Sequence, residues 1–348
     1  MKVETYDSVG EVAAEWDDLA DRVAAEPWLR PGWVDAWWSA FGAGRLRIIA
    51  LKQDDRLAGV LPVMEERGIV RSTSNWHTPE FGLLAERDGL GELAEALLSS
   101  RPHRVWLGFV DPDCPGVVAC RAASEAAGYR VLERTLERSP FVPIEGDWEA
   151  YMVGLGKKLT TELRRRRRRL EEAGRFSVEV LDGSERLPAL LDEGFAVEAS
   201  GWKGARGQAI SSQPETLSFY RALAAWAAER GWLRLAFLRL DGRPFAFDFC
   251  IEDHGIHYLL KTGYDPAFGK FAPGMILRYE MLGRAFSIGL RSYEFLGADE
   301  PWKLEWTETT RERNLFHAFA PSLQGLVGWA AFAYGRPAAK RVLTLVRR

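Results

Sequence analysis

Three short stretches of this 348-residue chain set reactive or anion-binding groups where chemistry could use them. In GADEPWKLEW, Asp299, Glu300 and Lys303 follow the apolar run RSYEFLG, which reads as a strand. Side chains that leave the end of a strand in an α/β sheet tend to face ligands. In RPFAFDFCIE, the bulky Phe245, Phe247, Phe249 and Ile251 alternate with Ala246, Asp248 and Cys250, so a strand would carry the two sets on opposite faces. Asp248 is then an acid in mid-strand among small neighbours. It either pairs with a buried base, Lys261 or Arg166, or faces a cleft as a general base. In KFAPGM, Lys270, Phe271, Ala272, Pro273, Gly274 and Met275 lead into a helix whose first turn holds the proline. Backbone amides at such a terminus are free to bind phosphate, and Lys270 adds a cation.

A fourth stretch, KKLTTELRRRRRRLEEAG, carries nine bases against three acids between Lys157 and Arg175, while the whole chain has a formal net charge of −3. Basic charge is therefore concentrated and not spread, which argues against a general polycation. At helical spacing Leu155, Leu159, Leu163, Leu170 and Ala173 form one apolar stripe, so the helix docks on a core. Lys157, Arg164, Arg165 and Arg168 fall on the opposite, solvated side. Arg166 falls inside the stripe, where it must snorkel to water, pair with a carboxylate or meet a bound anion. No aromatic residues interleave with these bases, as a nucleic-acid module would lead one to expect.

The elements that must position these groups follow from periodicity. An opening strand and two helices, the second with Trp33, Trp37 and Phe41 on one face, precede a meander of strands turned at Asp54-Asp55. The second half begins with the arginine helix and repeats a mixture of helices and strands, with Asp241-Gly242 as a hairpin turn. The reading is α/β, with two tandem mixed-sheet domains at 1–145 and 146–315 and a basic helical tail at 316–348. Composition is that of a globular protein, with 47% hydrophobic residues and 14 Trp. The three cysteines form neither a zinc spacing nor an even disulfide set, and the five histidines form no HExxH, so no metal is expected and a reducing cytoplasm is the default compartment. The start has no signal-peptide pattern, and no apolar stretch is long enough for a membrane span.

From Trp148 to Trp306 the ordered set LGKKLTTELRRRRRRLEEAG, SGWKGARGQAI, YDPAFGKFAPG and FLGADEPWKLEW resembles the GNAT-type acetyltransferase domain of cellulose-biosynthesis-associated bacterial proteins. The first half, with WLRPGWVDAWWSAFG and GVLPV, is similar to their N-terminal portion. The resemblance implies two GNAT-like units in tandem, an architecture shared with Fem-type transferases that use aminoacyl-tRNA. It also implies that residues 270–275 stand where GNAT folds hold the pyrophosphate of coenzyme A, although this stretch departs from the Q/R-x-x-G-x-G/A pattern with one glycine and a proline. Lys303 would lie in the transfer site, and Trp202 and Lys203 of GWKG would line the cleft.

These readings converge on an N-acyltransferase moving an acyl group from acetyl-CoA or another acyl-CoA to an amine on an amino sugar, amino acid or peptide, in envelope polysaccharide metabolism. Asp248 or Glu300 would be the base, Lys303 the electrostatic stabiliser, and Arg166, Trp202 and Lys203 substrate contacts. Two alternatives stay open on sequence alone, a tRNA-dependent Fem-like transferase and a catalytically idle scaffold that binds a partner.

Overall fold

The computed structural model describes residues 1–201, 204 and 206–335. The chain forms two units, the first made of Met1–Glu137 with Glu312–Arg348 and the second of Arg138–Arg311. In chain order the first contains β1 (Lys2–Tyr6), α1 (Ala13–Arg22), α2 (Pro31–Phe41), β2 (Arg45–Gln53), β3 (Arg56–Glu66), β4 (Ile69–Ser72), β5 (Leu84–Ala85), α3 (Leu90–Leu97), β6 (Arg104–Val110) and α4 (Pro115–Ala126). Strand β7 (Arg130–Pro143) leads out of it. The second unit continues with α5 (Trp148–Gly154), α6 (Lys157–Ala173), β8 (Phe176–Leu181), α7 (Leu187–Ala199), α8 (Pro214–Glu229), β9 (Leu233–Leu240), β10 (Arg243–Asp253), β11 (Ile256–Tyr264), α9 (Pro273–Ser287), β12 (Ser292–Glu294) and α10 (Pro301–Leu304). The chain then returns to the first unit as β13 (Thr310–Phe319) and α11 (Leu323–Ala330).

In the first unit the sheet order is β1-β2-β3-β4-β6-β13, antiparallel except for the parallel pair β4–β6. The alternation of β2 sorts its residues between two cores. Ile48 and Ala50 meet Trp16 and Leu19 of α1, whereas Ile49 and Leu51 meet Leu93 and Leu97 of α3 and Val117 and Cys120 of α4. Trp33 and Trp37 of α2 are buried, as their spacing requires. Asp54 and Asp55 both adopt left-handed φ, 50° and 60°, in the turn that joins β2 to β3.

In the second unit the order is β7-β12-β11-β10-β9-β8, again antiparallel apart from one parallel pair, β11–β12. Asp241 and Gly242 turn β9 into β10. Both faces of β10 are covered: Phe247 and Phe249 make edge contacts with Phe195 of α7 and Tyr220 of α8, while Ala246 and Cys250 share the core of α9 with Ile276, Leu277 and Met281. Helix α6 docks through Leu163 and Leu170, and Lys157, Arg164, Arg165 and Arg168 are exposed.

The C-terminal region corrects one expectation. Residues 316–319, read as the start of a helical tail, lie in β13, which pairs with β6 and buries Phe316 and Ala318. Their alternation of apolar residues fits a strand between two covered faces. The later part of that tail, residues 336–348, lies outside the described residues.

Candidate active site

Strands β11 and β12 stay together for only three residue pairs, Ile256 with Ser292, His257 with Tyr293 and Tyr258 with Glu294. Beyond Tyr258, β11 continues to Tyr264, whereas β12 ends at Glu294 and the chain turns away through Leu296 and Gly297 in left-handed conformations. The strands therefore part. A cavity of about 620 Å³ opens here, with Thr262, Gly263 and Tyr264 on one side, Ala272 to Met275 and Arg278 at the start of α9, and Glu300, Trp302, Glu305 and Trp306 opposite. The end of α7 closes it with Glu198 and Gly201.

The 270–275 segment forms a 3₁₀ turn over Pro266–Phe271, a left-handed Ala272 (φ 53°) and the first turn of α9. The carbonyl of Ala272 takes the N–H groups of Met275 and Ile276, and Pro273 has none, which leaves the Gly274 N–H outside the helix ladder. A side chain at Gly274 would meet nothing closer than Tyr264, 3.9 Å away, so this face of the helix end is open toward the cavity. Lys270 is exposed and its ammonium lies 4.8 Å from the Phe271 ring. It does not line the cavity.

Lys303 is 5% exposed. Its Nζ donates to the carbonyls of Leu296 (2.6 Å) and Ala298 (2.8 Å) and lies 3.3 Å from Glu300 Oε2. Glu300 also accepts from Trp302 Nε1 at 3.0 Å. The lysine thus sits behind the cavity wall and fixes the turn, and Glu300 and Trp302 form the wall itself. Gly297 suits this turn because its φ of 61° is a left-handed conformation that side-chain-bearing residues rarely adopt.

Asp248 is fully buried and ion-paired with Arg278, whose other terminal nitrogen donates to the Tyr293 hydroxyl. The mid-strand acid has the buried base that its surroundings demand, but that base is on α9 and is neither Lys261 nor Arg166. Burial pushes the Arg278 pKa down, opposed by Tyr293, and pushes the Tyr293 hydroxyl up. The carboxylate does not face the cavity; Arg278 does. Arg166 is likewise held by protein groups, donating to Glu162 at 2.6 Å and to the Lys270 carbonyl, and so ties α6 to the loop before α9. Trp202 and Lys203 lie outside the described residues.

Sequence reading passed over Glu198. It is 2% exposed, accepts from the Ile210 N–H at 3.0 Å and lines the cavity. Gly263 brings β11 this close to α7, since a Cβ there would stand 2.6 Å from the Cα of Glu198. The signal was present in α7. Leu191, Gly194, Phe195 and Glu198 recur at core spacing, and a carboxylate on the buried stripe of a helix needs a reason.

Residues 157–304 match the family model described as acetyltransferase (GNAT) domain. No curated protein sequence matches the chain. Among solved structures it is similar to FemX (12% identity, 91% of this chain and 97% of the other, TM-score 0.62). It is also similar to the C-terminal DUF2156 domain of an Agrobacterium fabrum protein (13%, 93% and 96%, TM-score 0.59). A third likeness is to a conserved protein of unknown function from Bacteroides thetaiotaomicron (14%, 91% and 100%, TM-score 0.54). At such identities these likenesses are of fold. The parted strands, the helix that starts at their opening and every residue lining the cavity except Glu305 and Trp306 lie within residues 157–304, the stretch that matches the acetyltransferase (GNAT) domain.

Proposed function

We propose that the second unit is an N-acyltransferase that takes an acyl group from an acyl-CoA, acetyl-CoA being the simplest, and passes it to an amine. The observation that carries this reading is the opening between β11 and β12. The β11–β12 ladder stops at Tyr258, and where two parallel strands part an extended, amide-bearing chain can lie against a strand through its backbone groups. The start of α9, with Gly274 open beside it, suits the phosphates of such a donor. In the reaction the amine nitrogen attacks the thioester carbonyl carbon; the C–N bond forms, the C–S bond breaks and the thiolate leaves on the coenzyme. The proton lost by nitrogen passes to a carboxylate on the cavity wall. Glu198 and Glu300 line the cavity whereas Asp248 is engaged by Arg278, which favours one of the first two as the base. Lys303 supplies a fixed positive charge behind the Glu300 wall. An amino sugar, amino acid or peptide supplies the amine.

Gly274→Val tests the reading. The position has no strained φ and space beyond it, so the side chain should occupy the donor site without disturbing the fold. The native protein should form a one-to-one adduct with an acyl-CoA in native mass spectrometry, and the variant should bind at least about tenfold more weakly, a loss of about 1.4 kcal/mol, with its melting temperature unchanged. An absence of any adduct across short and long acyl-CoAs would remove the thioester donor.

A second reading, transfer from aminoacyl-tRNA, is favoured by one feature. Lys157, Lys158, Arg164 and Arg169 are exposed on α6, and among the described residues none has a carboxylate at ion-pair distance. Copurifying tRNA, released steeply by salt, would support it.

A further inference from the structure

Helix α11 is apolar on both sides. Its inner side is packed: Gly328 lies against Phe319, and just beyond the helix Phe332 contacts His317 and Phe319. Its outer side is bare. Leu323 is 80% exposed, Leu326 39% and Val327 61%, and Tyr334, past the helix end, is 66% exposed. Leu323, Leu326, Val327 and Ala330 span an arc of about 100° on a helical wheel, so the exposed apolar residues of the helix make one continuous face. Ser322 caps the helix start by accepting the Gly325 N–H, which fixes that face in place.

Two arginines border it. Arg130 lies 4.4 Å from the Trp329 ring, and Arg134 lies 4.5 Å from the Phe332 ring and donates to its carbonyl. Among the described residues no carboxylate pairs with either arginine. The nearby Glu133 is engaged by Arg121 at 2.7 Å, and Glu312 accepts from Thr135. The sequence after Glu312 contains no acid, and residues 336–348, which lie outside the described residues, include Arg336, Lys340, Arg341, Arg347 and Arg348. An exposed apolar helix face, aromatic side chains with polar tips at its margin and two arginines at its border without a carboxylate partner together match an anionic bilayer surface, where the apolar face enters the acyl boundary and the cations meet headgroups.

We infer that α11 docks the protein onto the surface of an anionic membrane, lying on it without crossing it. No helix among the described residues is long and apolar enough to cross. The surface belongs to the first unit and does not depend on the acyl-transfer reading.

The test is flotation of the full chain with vesicles of phosphatidylcholine alone and of phosphatidylcholine mixed with phosphatidylglycerol. The protein should float with the anionic vesicles only, and raised salt should weaken this. Leu326→Glu with Val327→Glu should weaken binding by about a hundredfold, because charge replaces the inserted side chains. Arg130→Gln with Arg134→Gln should weaken it by about tenfold or more. Both pairs lie at the surface, and unchanged circular dichroism would confirm folded variants. The inference is overturned if the native chain stays unbound, if it floats equally with neutral vesicles, or if the glutamate pair floats as the native chain does. It is also overturned if sedimentation shows a dimer that the glutamate pair dissolves while vesicles bind nothing, for a second copy would then cover the face.

Discussion

Glu252, at the end of β10, is held by Arg234 at 2.8 Å, by a two-pronged contact with Arg284 and by His257 Nδ1 at 2.9 Å. Burial alone would raise its pKa, but the hydrogen bonds from His257 and Arg284 outweigh it and carry the carboxyl from 4.5 down to about 2. A carboxyl depressed in the folded state stabilises the protein above its unfolded value and loses that contribution as pH falls through the folded one. His257, pushed down by burial, acts in the same direction, since unfolding frees it to take a proton. Stability measured by urea titration should therefore fall through His257 as pH drops below about 6.5 and through Glu252 from about 4.5 toward 2, and Glu252→Gln should flatten the lower part of that fall; an equal slope there in the variant would remove Glu252 from the acid response. Asp248 was legible as an acid in need of a partner, because small apolar neighbours in a strand cannot solvate it. Its partner was not legible, because Arg278 stands thirty residues later on a helix, where an arginine ordinarily points to water. Lys303 was legible as a group at a strand end, but not the carbonyl cage that a left-handed Gly297 builds around it.

Helix α9 carries both the open Gly274 face and the arginine that anchors the helix to the sheet. The Asp248–Arg278 pair joins the second turn of α9 to the middle of β10, and so sets where the start of the helix stands at the opening between β11 and β12. Removing one partner of a buried pair leaves an uncompensated charge in the interior. Asp248→Asn should thus cost roughly 3 to 5 kcal/mol in denaturant unfolding, whereas Asp248→Leu with Arg278→Met, which removes both charges, should cost less. The same pair predicts a functional split, since the asparagine variant should bind the donor more weakly while Glu252, at the far end of β10, keeps its pH response. Equal losses in the single and double variants would mean that packing, and not charge pairing, fixes the helix. The elements themselves were well announced. The turn at Asp241-Gly242 and the helix beginning at Pro273 follow from local chemistry and are found, and Leu163 and Leu170 of the α6 stripe are buried while Ala173 is exposed. The parting of β11 from β12 was not announced, because a ladder that stops after three pairs is decided by where the chain turns afterwards and not by either strand's own pattern.

At the scale of the whole chain, the first unit is discontinuous, and its last strand arrives only after the second unit has been made. Sequence reading placed a tail from residue 316, because the apolar and basic residues beyond Pro321 are conspicuous and the charged start of TRERNLFHAF hides a strand. Burial contradicts that division. Phe316 and Ala318 are fully buried in the core that α3 and α4 share with β2 and β6, and β13 pairs with β6 from Asn314 to Phe319. A chain ending at Arg311 would leave the β6 edge without this partner and the core without Phe316, whose loss alone is worth about 3 to 5 kcal/mol by comparison with buried phenylalanines replaced by alanine. That is a large share of the roughly 5 to 15 kcal/mol by which a domain is stable. Hydrogen exchange followed by mass spectrometry should then show β2, β3 and β6 exchanging fast in the chain cut after Arg311, while a chain cut after Gly335 keeps them protected. Protection of β6 in the shorter chain would mean that β13 only covers a finished sheet, and the first unit would have to be redrawn as Met1–Glu137 alone.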